Sequence, residues 1–222
     1  MPNWAYNTIT LKSKSDLATL MKKYVNGNGQ LDFNTIEPMP ADLDIDAVAG
    51  CDIAICYYLT NRLMKPMNEE HLDCLEKAIM FFSRDTLLKR TRETAKYSTK
   101  ADLERLYEDG RVRAENLFKH GAPTWYEWRY IHWGTKWNAS YVHTASTSDT
   151  ECILMFDTPY SAPLPILQKI CKNHPDMPMT FDTEYEDTGL GIDTWENVNG
   201  TLTFTAHQEN DNNDWEADNM AD

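Results

Sequence analysis

Four potential zinc ligands lie in a short stretch of the chain: Cys51, Cys56, His71 and Cys74. Structural zinc sites usually contain pairs of cysteines separated by two residues. The gap between Cys51 and Cys56 is wider than that, and Cys56 lies in an apolar context beside Ile55. We therefore expect ordinary buried thiols here, and the sequence predicts no metal site.

Two further groups of residues have types that occur in active sites. His132 has the right side chain for a general acid or base, but that role needs a carboxylate partner, which the sequence does not place. Gly189-Leu190-Gly191 resembles part of a phosphate loop, yet no Lys-Ser/Thr pair follows it and acids surround it, so we expect a turn between strands. The sequence thus predicts no catalytic residue and no cofactor, and we expect a protein that is not an enzyme.

Carboxylates are concentrated toward the end of the chain. The formal net charge of the 222 residues is −14, and no Lys or Arg follows Lys172. An acidic surface repels phosphate groups and attracts basic partners. The candidate partner-binding residues on this surface are Glu184, Glu186, Asp187, Asp193 and Glu196. A divalent-cation site is the alternative, but these residues lack the regular spacing of a calcium loop, so we prefer a solvated acidic face.

Aromatic residues are densest between Trp125 and Trp137, which holds four of the seven tryptophans. Their spacing of three and four predicts a helix with an aromatic stripe, ended by Gly134. The residues of this aromatic core motif are Trp125, Trp128, Arg129, Trp133, Lys136 and Trp137. We interpret the stripe as core packing; an exposed recognition surface is the alternative, and both can hold on different faces. The cationic side chains of Arg129 and Lys136 are expected to stack on the aromatic rings.

The remaining pattern alternates between strands and helices. Alternation over residues 3–11 predicts a strand, Ser15 begins a helix, and residues 31–36 predict a second strand that completes a βαβ unit. A later βαββ pattern contains the apolar run 151–157 and a helix from Pro163. Two such halves predict an α+β protein, namely a ferredoxin-like split βαβ antiparallel sheet with a large helical insertion.

The sequence pattern predicts four segments along the chain. They are a first βαβ unit over residues 1–40, a helical insertion over 41–122, an aromatic helix with the second βαββ half over 123–207, and an acidic disordered tail over 208–222. No run approaches the ~20 apolar residues of a membrane span, so we expect no membrane partner. Five cysteines, an odd number without a close-set framework, suit reduced thiols in the cytoplasm.

Several short motifs together resemble a known family. They are Pro2-Asn3-Trp4, Phe33-Asn34-Thr35-Ile36, Trp133-Gly134-Thr135-Lys136-Trp137-Asn138 and Phe156-Asp157-Thr158. These motifs resemble the YubB-type ferredoxin-like domain family of phages, prophages and conjugative plasmids. The resemblance covers about the first 40 residues and the part from Trp125 to about Phe204, while the region from Asp42 to Ala122 departs from it. It implies a ferredoxin-like fold, a mobile-element origin and a bacterial cytoplasm, and it carries over no catalytic residue.

We therefore expect an accessory binding protein whose acidic surface engages a basic surface of a host protein. Antagonism of a host defence system, of the anti-CRISPR or anti-restriction type, is the natural use for a mobile element. One alternative is a nucleic-acid-binding module that uses the aromatic sheet and a basic part of the insertion around Lys89, Arg90, Arg92, Lys96 and Lys100. The acidic charge makes direct nucleic-acid binding the less favoured interpretation. The other alternative is an unrecognised enzyme that uses His132, Lys136 or Asp157.

Overall fold

The computed structural model describes residues 3–61, 69, 73, 76, 83–146, 151–186 and 191–209. Contacts between Cα atoms divide the chain into two compact units. The first unit comprises Met1–Pro38 and Arg129–Asp222, and the second comprises Met39–Trp128. Of the expected acidic tail, residues 210–222 lie outside the described part of the chain.

The elements run in the following order along the chain. The described helices are α1 (Lys14–Lys23), α2 (Phe33–Ile36), α3 (Cys51–Asn61), α4 (Arg84–Tyr97), α5 (Lys100–His120), α6 (Trp125–His132) and α7 (Leu164–Asn173), with a 3₁₀ turn at Ala41–Leu43. The described strands are β1 (Trp4–Leu11), β2 (Ser140–Ser146), β3 (Cys152–Pro159), β4 (Met179–Tyr185), β5 (Ile192–Val198) and β6 (Thr201–Gln208).

The strands of the described residues form one antiparallel sheet in the order β2-β3-β1-β4-β5-β6. Within it, β1-α1-β2-β3-α7-β4 is a βαββαβ unit in which β3 lies between β1 and β2. This split βαβ arrangement is the ferredoxin-like fold, so the predicted α+β class is confirmed. The β5-β6 hairpin extends the sheet beyond β4, and the helical insertion falls between α1 and β2.

The second strand predicted at residues 31–36 is wrong. Leu31 makes an isolated bridge to Val25, and the chain then enters helix α2. Asp32 caps this helix, because its Oδ1 accepts a 2.9 Å hydrogen bond from the backbone N–H of Asn34. Asn138 supports the cap: its Oδ1 accepts from the N–H of Phe33 at 2.9 Å, and its Nδ2 donates to Asp32 at 2.7 Å. The true partner strand is β2, which the sequence prediction missed.

The sheet has one face that packs against helices. Ala5, Ile9 and Leu11 of β1 are almost fully buried, and so are residues of α7 such as Ile166 and Ile170. Residues that alternate with these along the strands point to the other side of the sheet, called the open face below. They are exposed or half-buried, except for Pro159 at the end of β3. Period-two alternation therefore separates a core side from a side that can meet other molecules.

The second unit is built from helices. Its core consists of Ile55, Cys56, Leu59, Leu87, Ala114 and Leu117, contributed by α3, α4 and α5. A capping box begins α5, since Thr99 and Asp102 bond reciprocally, and Gly121 ends the helix in the left-handed conformation. No helix in the described residues combines the length and apolar character needed to cross a bilayer.

Candidate functional site

The candidate site is centred on Tyr6, on the open face of β1. In the sheet register Tyr6 lies directly opposite Asp157 of β3 on one side and Glu184 of β4 on the other. The Cβ atoms of directly opposed residues in antiparallel strands are about 5 Å apart. Because Tyr6 is 42% exposed, its ring is accessible to a ligand and is flanked by two carboxylates.

Further carboxylates continue this pattern along the open face. Asp182 lies opposite Thr8, and Glu196 lies opposite Thr180. Asp182 is oriented by Thr194, whose Oγ1 donates a 2.7 Å hydrogen bond to its Oδ1. The described strands contain no Lys or Arg, although they contain several acids. The charged groups that the described strands place on the open face are therefore carboxylates, beside the imidazole of His143.

The acids of the open face affect the titration of its side chains. Burial raises the pKa of Tyr6, and the Glu186, Asp157 and Glu184 carboxylates raise it further. Burial also raises the pKa of Asp157, an effect that His143 partly opposes. Burial thus disfavours the charged form of both groups, and for Tyr6 the neighbouring carboxylates add to this effect.

Four aromatic rings and one cation form a cluster at the end of the sheet where β1 begins. We call this cluster the aromatic corner; it consists of Trp4, Lys136, Trp137, Tyr141 and Tyr160. The Trp4 ring lies 6.3 Å from that of Trp137 and 6.0 Å, edge to face, from that of Tyr141. The Lys136 ammonium lies 4.4 Å from the Trp137 ring centroid and 5.9 Å from that of Tyr160. The last two tyrosines are exposed, Tyr141 by 73% and Tyr160 by 49%.

The two exposed tyrosines of the aromatic corner have an unusual backbone conformation. The φ angle is 51° at Tyr141 and 68° at Tyr160, in the left-handed region that Gly and Asn adopt more easily. Tyr160 is held there by its N–H, which donates a 2.8 Å hydrogen bond to the Asn3 carbonyl. Tyr141 lies where the β2-β3 register shifts, between Ser140 and His143. The backbone at both positions thus departs from regular strand geometry where the rings are exposed.

Glu186 brings a carboxylate to the aromatic corner. The N–H of Trp4 donates a 2.6 Å hydrogen bond to its Oε2, and the N–H of Glu186 donates a 2.9 Å hydrogen bond to the Trp4 carbonyl. The carboxylate of the exposed Glu186 is therefore held at the backbone of Trp4. The corner offers ring faces and a fixed carboxylate within a single local structure.

The acids selected from the sequence do not all share one surface. Glu184 and Glu196 lie on the open face and Glu186 at its aromatic corner, whereas Asp193 alternates with them on β5 and points to the opposite side. There Asp193 accepts a 3.2 Å hydrogen bond from the Tyr185 hydroxyl and pairs with His207 at 2.7 Å. Burial, with the Asp193 carboxylate, raises the pKa of Tyr185 to about 12.

Some candidate residues from the sequence fall outside the described part of the chain. They are Asp187, Gly189, Leu190, His71 and Cys74.

The aromatic core motif divides between core and surface. Trp128 and Trp133 are buried, and Trp133 donates from Nε1 to the Glu37 carbonyl at 3.0 Å. Trp137 is 38% exposed, and Trp125 is half-buried with its ring 5.7 Å from that of Tyr126.

The expected stacking and helix end are both confirmed. The Arg129 guanidinium lies 4.7 Å from the Trp133 ring centroid, and Lys136 stacks on Trp137. Gly134, with a φ of 79°, follows the end of α6, and a Cβ there would come within 2.7 Å of Pro165. Buried and solvent-exposed positions are thus occupied by different residues of the same motif.

His132 has a carboxylate partner that sequence reasoning could not place. Its Nδ1 lies 3.2 Å from Oε1 of Glu37, and Lys169 pairs with the other oxygen of the same carboxylate. Glu37 is distant in sequence, and the sequence pattern gave no signal for the pairing. A His-Glu pair orients a base but does not by itself define a reaction.

The cysteine candidates behave as individual thiols in the described structure. Cys51 Sγ donates a 2.7 Å hydrogen bond to the Val48 carbonyl, and burial raises the pKa of the fully buried Cys56. Within the residues that the structure describes, no group of three or more His, Cys, Asp or Glu is arranged to hold a metal ion.

Comparison with known proteins bears on the sheet-forming part of the chain. Residues 132–222 match the family model of the ferredoxin-like domain in Api92-like proteins. This range covers less than half of the chain and includes β2 to β6. The crystal structure of protein Api92 from Yersinia pseudotuberculosis aligns with a TM-score of 0.44 and 9% identity, over 94% of this chain and 98% of that one. No curated protein matches the chain in sequence.

Proposed function

We propose that this protein is a non-enzymatic binding protein whose open face engages a basic surface of another protein. The observation that carries the proposal is the placement of Tyr6 between Asp157 and Glu184, on a sheet whose described strands contain no Lys or Arg. Such a face combines an exposed aromatic ring with negatively charged carboxylates. These features suit arginine and lysine side chains of a partner.

Electrostatic complementarity determines how such a partner would bind. Acids on one face steer a basic partner toward it and discourage acidic competitors. The open face holds Asp157, Asp182, Glu184 and Glu196, and exposed charges of this kind are screened by salt. We therefore expect a salt-sensitive interaction whose association rate depends strongly on these carboxylates.

A nucleic-acid-binding module is the second candidate. Aromatic residues on a ferredoxin-like sheet can stack bases, and Lys89, Arg92 and Lys96 are exposed on helix α4. However, the open face would have to approach phosphates with carboxylates and without a cation from its strands. The observed charge therefore favours a protein partner.

The resemblance to proteins of phages and plasmids suggests the biological use of this face. Defence effectors that act on nucleic acid expose basic surfaces to bind it. Occupation of such a surface by an acidic sheet would antagonise the effector by competition. The proposed role is thus that of an accessory factor in a bacterial cytoplasm that blocks a host defence system.

The test uses two variants with the same change in net charge. Glu184→Gln with Glu196→Gln removes two negative charges from the open face, and Glu93→Gln with Glu104→Gln removes two exposed charges from the helical insertion. Each tagged protein is used to capture partners from bacterial lysate, with and without nuclease treatment, and affinities for the recovered protein are then measured.

The open-face variant should bind at least about tenfold more weakly than the wild type, while the insertion variant stays within about twofold. Equal losses in both variants would show that only net charge matters. Recovery of nucleic acid in place of a protein would favour the second candidate.

A further inference from the structure

We propose that the aromatic corner recognises an arginine side chain of the basic partner. This inference rests on the proposed function and adds the identity of the recognised group. It assigns a binding role to Trp4, Trp137, Tyr141 and Tyr160, together with the carboxylate of Glu186.

Exposure is the first reason to assign a role to this corner. Tyr141, Tyr160 and Trp137 all expose more than a third of their surface. The rings of Tyr141 and Trp137 lie beside that of Trp4, and Lys136 lies near the rings of both Trp137 and Tyr160. Exposed Trp and Tyr side chains that cluster are typical of protein recognition surfaces. A cluster of this kind at the edge of an acidic face therefore indicates a partner with both apolar and cationic character.

The aromatic corner already accommodates a cation. The Lys136 ammonium lies over the Trp137 ring and within reach of Tyr160. This intramolecular contact shows that the ring faces are oriented to meet positive charge. The edge-to-face pair of Trp4 and Tyr141 offers another ring face beside it.

The carboxylates favour a guanidinium over an ammonium. Glu186 is tied to the Trp4 backbone through its Oε2, and Glu184 and Asp157 flank Tyr6 two residues further along β1. A planar guanidinium can stack on a ring and still donate hydrogen bonds from its edge to a carboxylate. An ammonium is a compact and strongly hydrated point charge that has no flat surface to stack on a ring.

The backbone conformation of the two tyrosines supports a role outside the fold. Asn or Gly would adopt the left-handed φ of Tyr141 and Tyr160 more readily than a bulky residue. An exposed ring at each of these positions is therefore not explained by local backbone preference. Residues held in such conformations tend to occur at binding sites.

The experiment uses nine-residue polyarginine and polylysine peptides, labelled with a fluorophore, and the full-length protein. Fluorescence anisotropy at physiological ionic strength measures both affinities. Polyarginine should bind at least about fivefold tighter than polylysine. Tyr141→Asn, which suits the left-handed backbone, should remove this preference, whereas Tyr97→Asn, which removes an exposed ring from the helical insertion, should leave it unchanged.

A second pair of variants tests the resident cation. Lys136→Met keeps the alkyl packing but frees the Trp137 ring, so it should strengthen polyarginine binding more than the matched change Lys12→Met at an exposed position. Equal effects of these two variants would overturn the assignment of the ring faces.

The outcomes separate this inference from the proposed function. If Glu184→Gln with Glu196→Gln weakens both peptides but Tyr141→Asn leaves the arginine preference intact, the acidic face is supported and the aromatic corner is not its arginine site. Equal binding of the two peptides by the wild-type protein would also overturn the inference. Failure of both peptides to bind at low salt would overturn the inference and the proposed function together.

Discussion

The Oγ1 hydroxyl of Thr183 donates a 2.9 Å hydrogen bond to Oδ1 of Asn7, its neighbour across the β1-β4 pairing. Asn7 Nδ2 is directed to the other side, where Thr158 Oγ1 and the Phe156 carbonyl of β3 accept at 2.9 and 3.3 Å. Asn7 and Thr183 are buried. The side chain of Asn7, which follows Tyr6 in sequence, thus links the adjacent strands β3, β1 and β4 on the side of the sheet opposite the open face.

Asn7→Ala should destabilise the protein by about 3 kcal/mol, because it leaves the buried hydroxyls of Thr183 and Thr158 without this partner. Urea denaturation followed by circular dichroism measures the change. Asn28→Ala, in an exposed turn, should change the free energy of unfolding by less than about 0.5 kcal/mol. Similar small losses in both variants would show that the network contributes little to stability.

Gly110 lies inside helix α5, where a glycine lowers helix stability relative to alanine. The structure gives it a packing role, because a Cβ at this position would overlap the Ala54 carbonyl of α3. Gly110→Ala should therefore destabilise the protein by about 1–3 kcal/mol, although Ala is the better helix former by about 1 kcal/mol.

The matched control for this prediction is Gly27→Ala. A Cβ at Gly27 meets no atom within 4 Å, so thermal or urea denaturation should show little change. A gain in stability from Gly110→Ala would mean that α3 and α5 do not cross as closely as described.

The sequence correctly predicted β1, α7 and the helix end at Gly134, because each depends on residues that are close in sequence. Alternation identifies β1, Pro163 marks the start of α7, and the glycine adopts the backbone conformation that ends the helix before it. Phe33 and Ile36 fit a strand pattern equally well, but the cap of α2 depends on Asn138, which is distant in sequence. Strand β2 has few large apolar residues and lies at the sheet edge, so its pattern is weak.

The placement of the acids is a different case. Alternation along β5 is enough to predict that Asp193 and Glu196 lie on opposite faces of the sheet. The sequence does not show that Asp157, Asp182 and Glu184 share a face, because this depends on how β3, β1 and β4 pair. The tyrosines of the aromatic corner gave no sequence signal, because their exposure and left-handed backbone follow from the strand ends.

His174 should make the stability of the protein sensitive to mild acid. Its Nε2 lies 2.9 Å from the hydroxyl of the buried Tyr24. Burial, with the nearby Lys23, lowers the pKa of His174 below its ordinary value near 6.5, although Asp16 opposes this. The neutral ring is therefore favoured in the folded state, so its stabilising contribution is complete above pH 6.5 and is lost as the pH falls through the lowered pKa.

The measurement compares the Tm of the wild type with that of His174→Gln between pH 7.5 and about 5. The wild type should lose more thermal stability over this range, because glutamine keeps a polar group near Tyr24 but does not titrate. Parallel curves for the two proteins would contradict the assignment.

Asp157 should stabilise binding while it destabilises the fold. Burial raises its pKa, partly offset by His143, so the folded state favours the protonated acid. The stability that this preference supplies is present at low pH and is lost as the pH rises through the raised pKa. Asp157→Asn should accordingly have a higher Tm than the wild type at pH 7, and this advantage should disappear in acid.

The same variant should bind the basic partner more weakly, because it removes a carboxylate that flanks Tyr6. Asp176→Asn, at an exposed position between α7 and β4, is the matched control and should change neither quantity. A rise in stability without any loss of binding would remove Asp157 from the partner-binding surface. A loss of both would indicate that Asp157 supports the sheet. A carboxylate that serves recognition at the cost of stability predicts that Asp157→Asn raises the Tm and weakens partner binding.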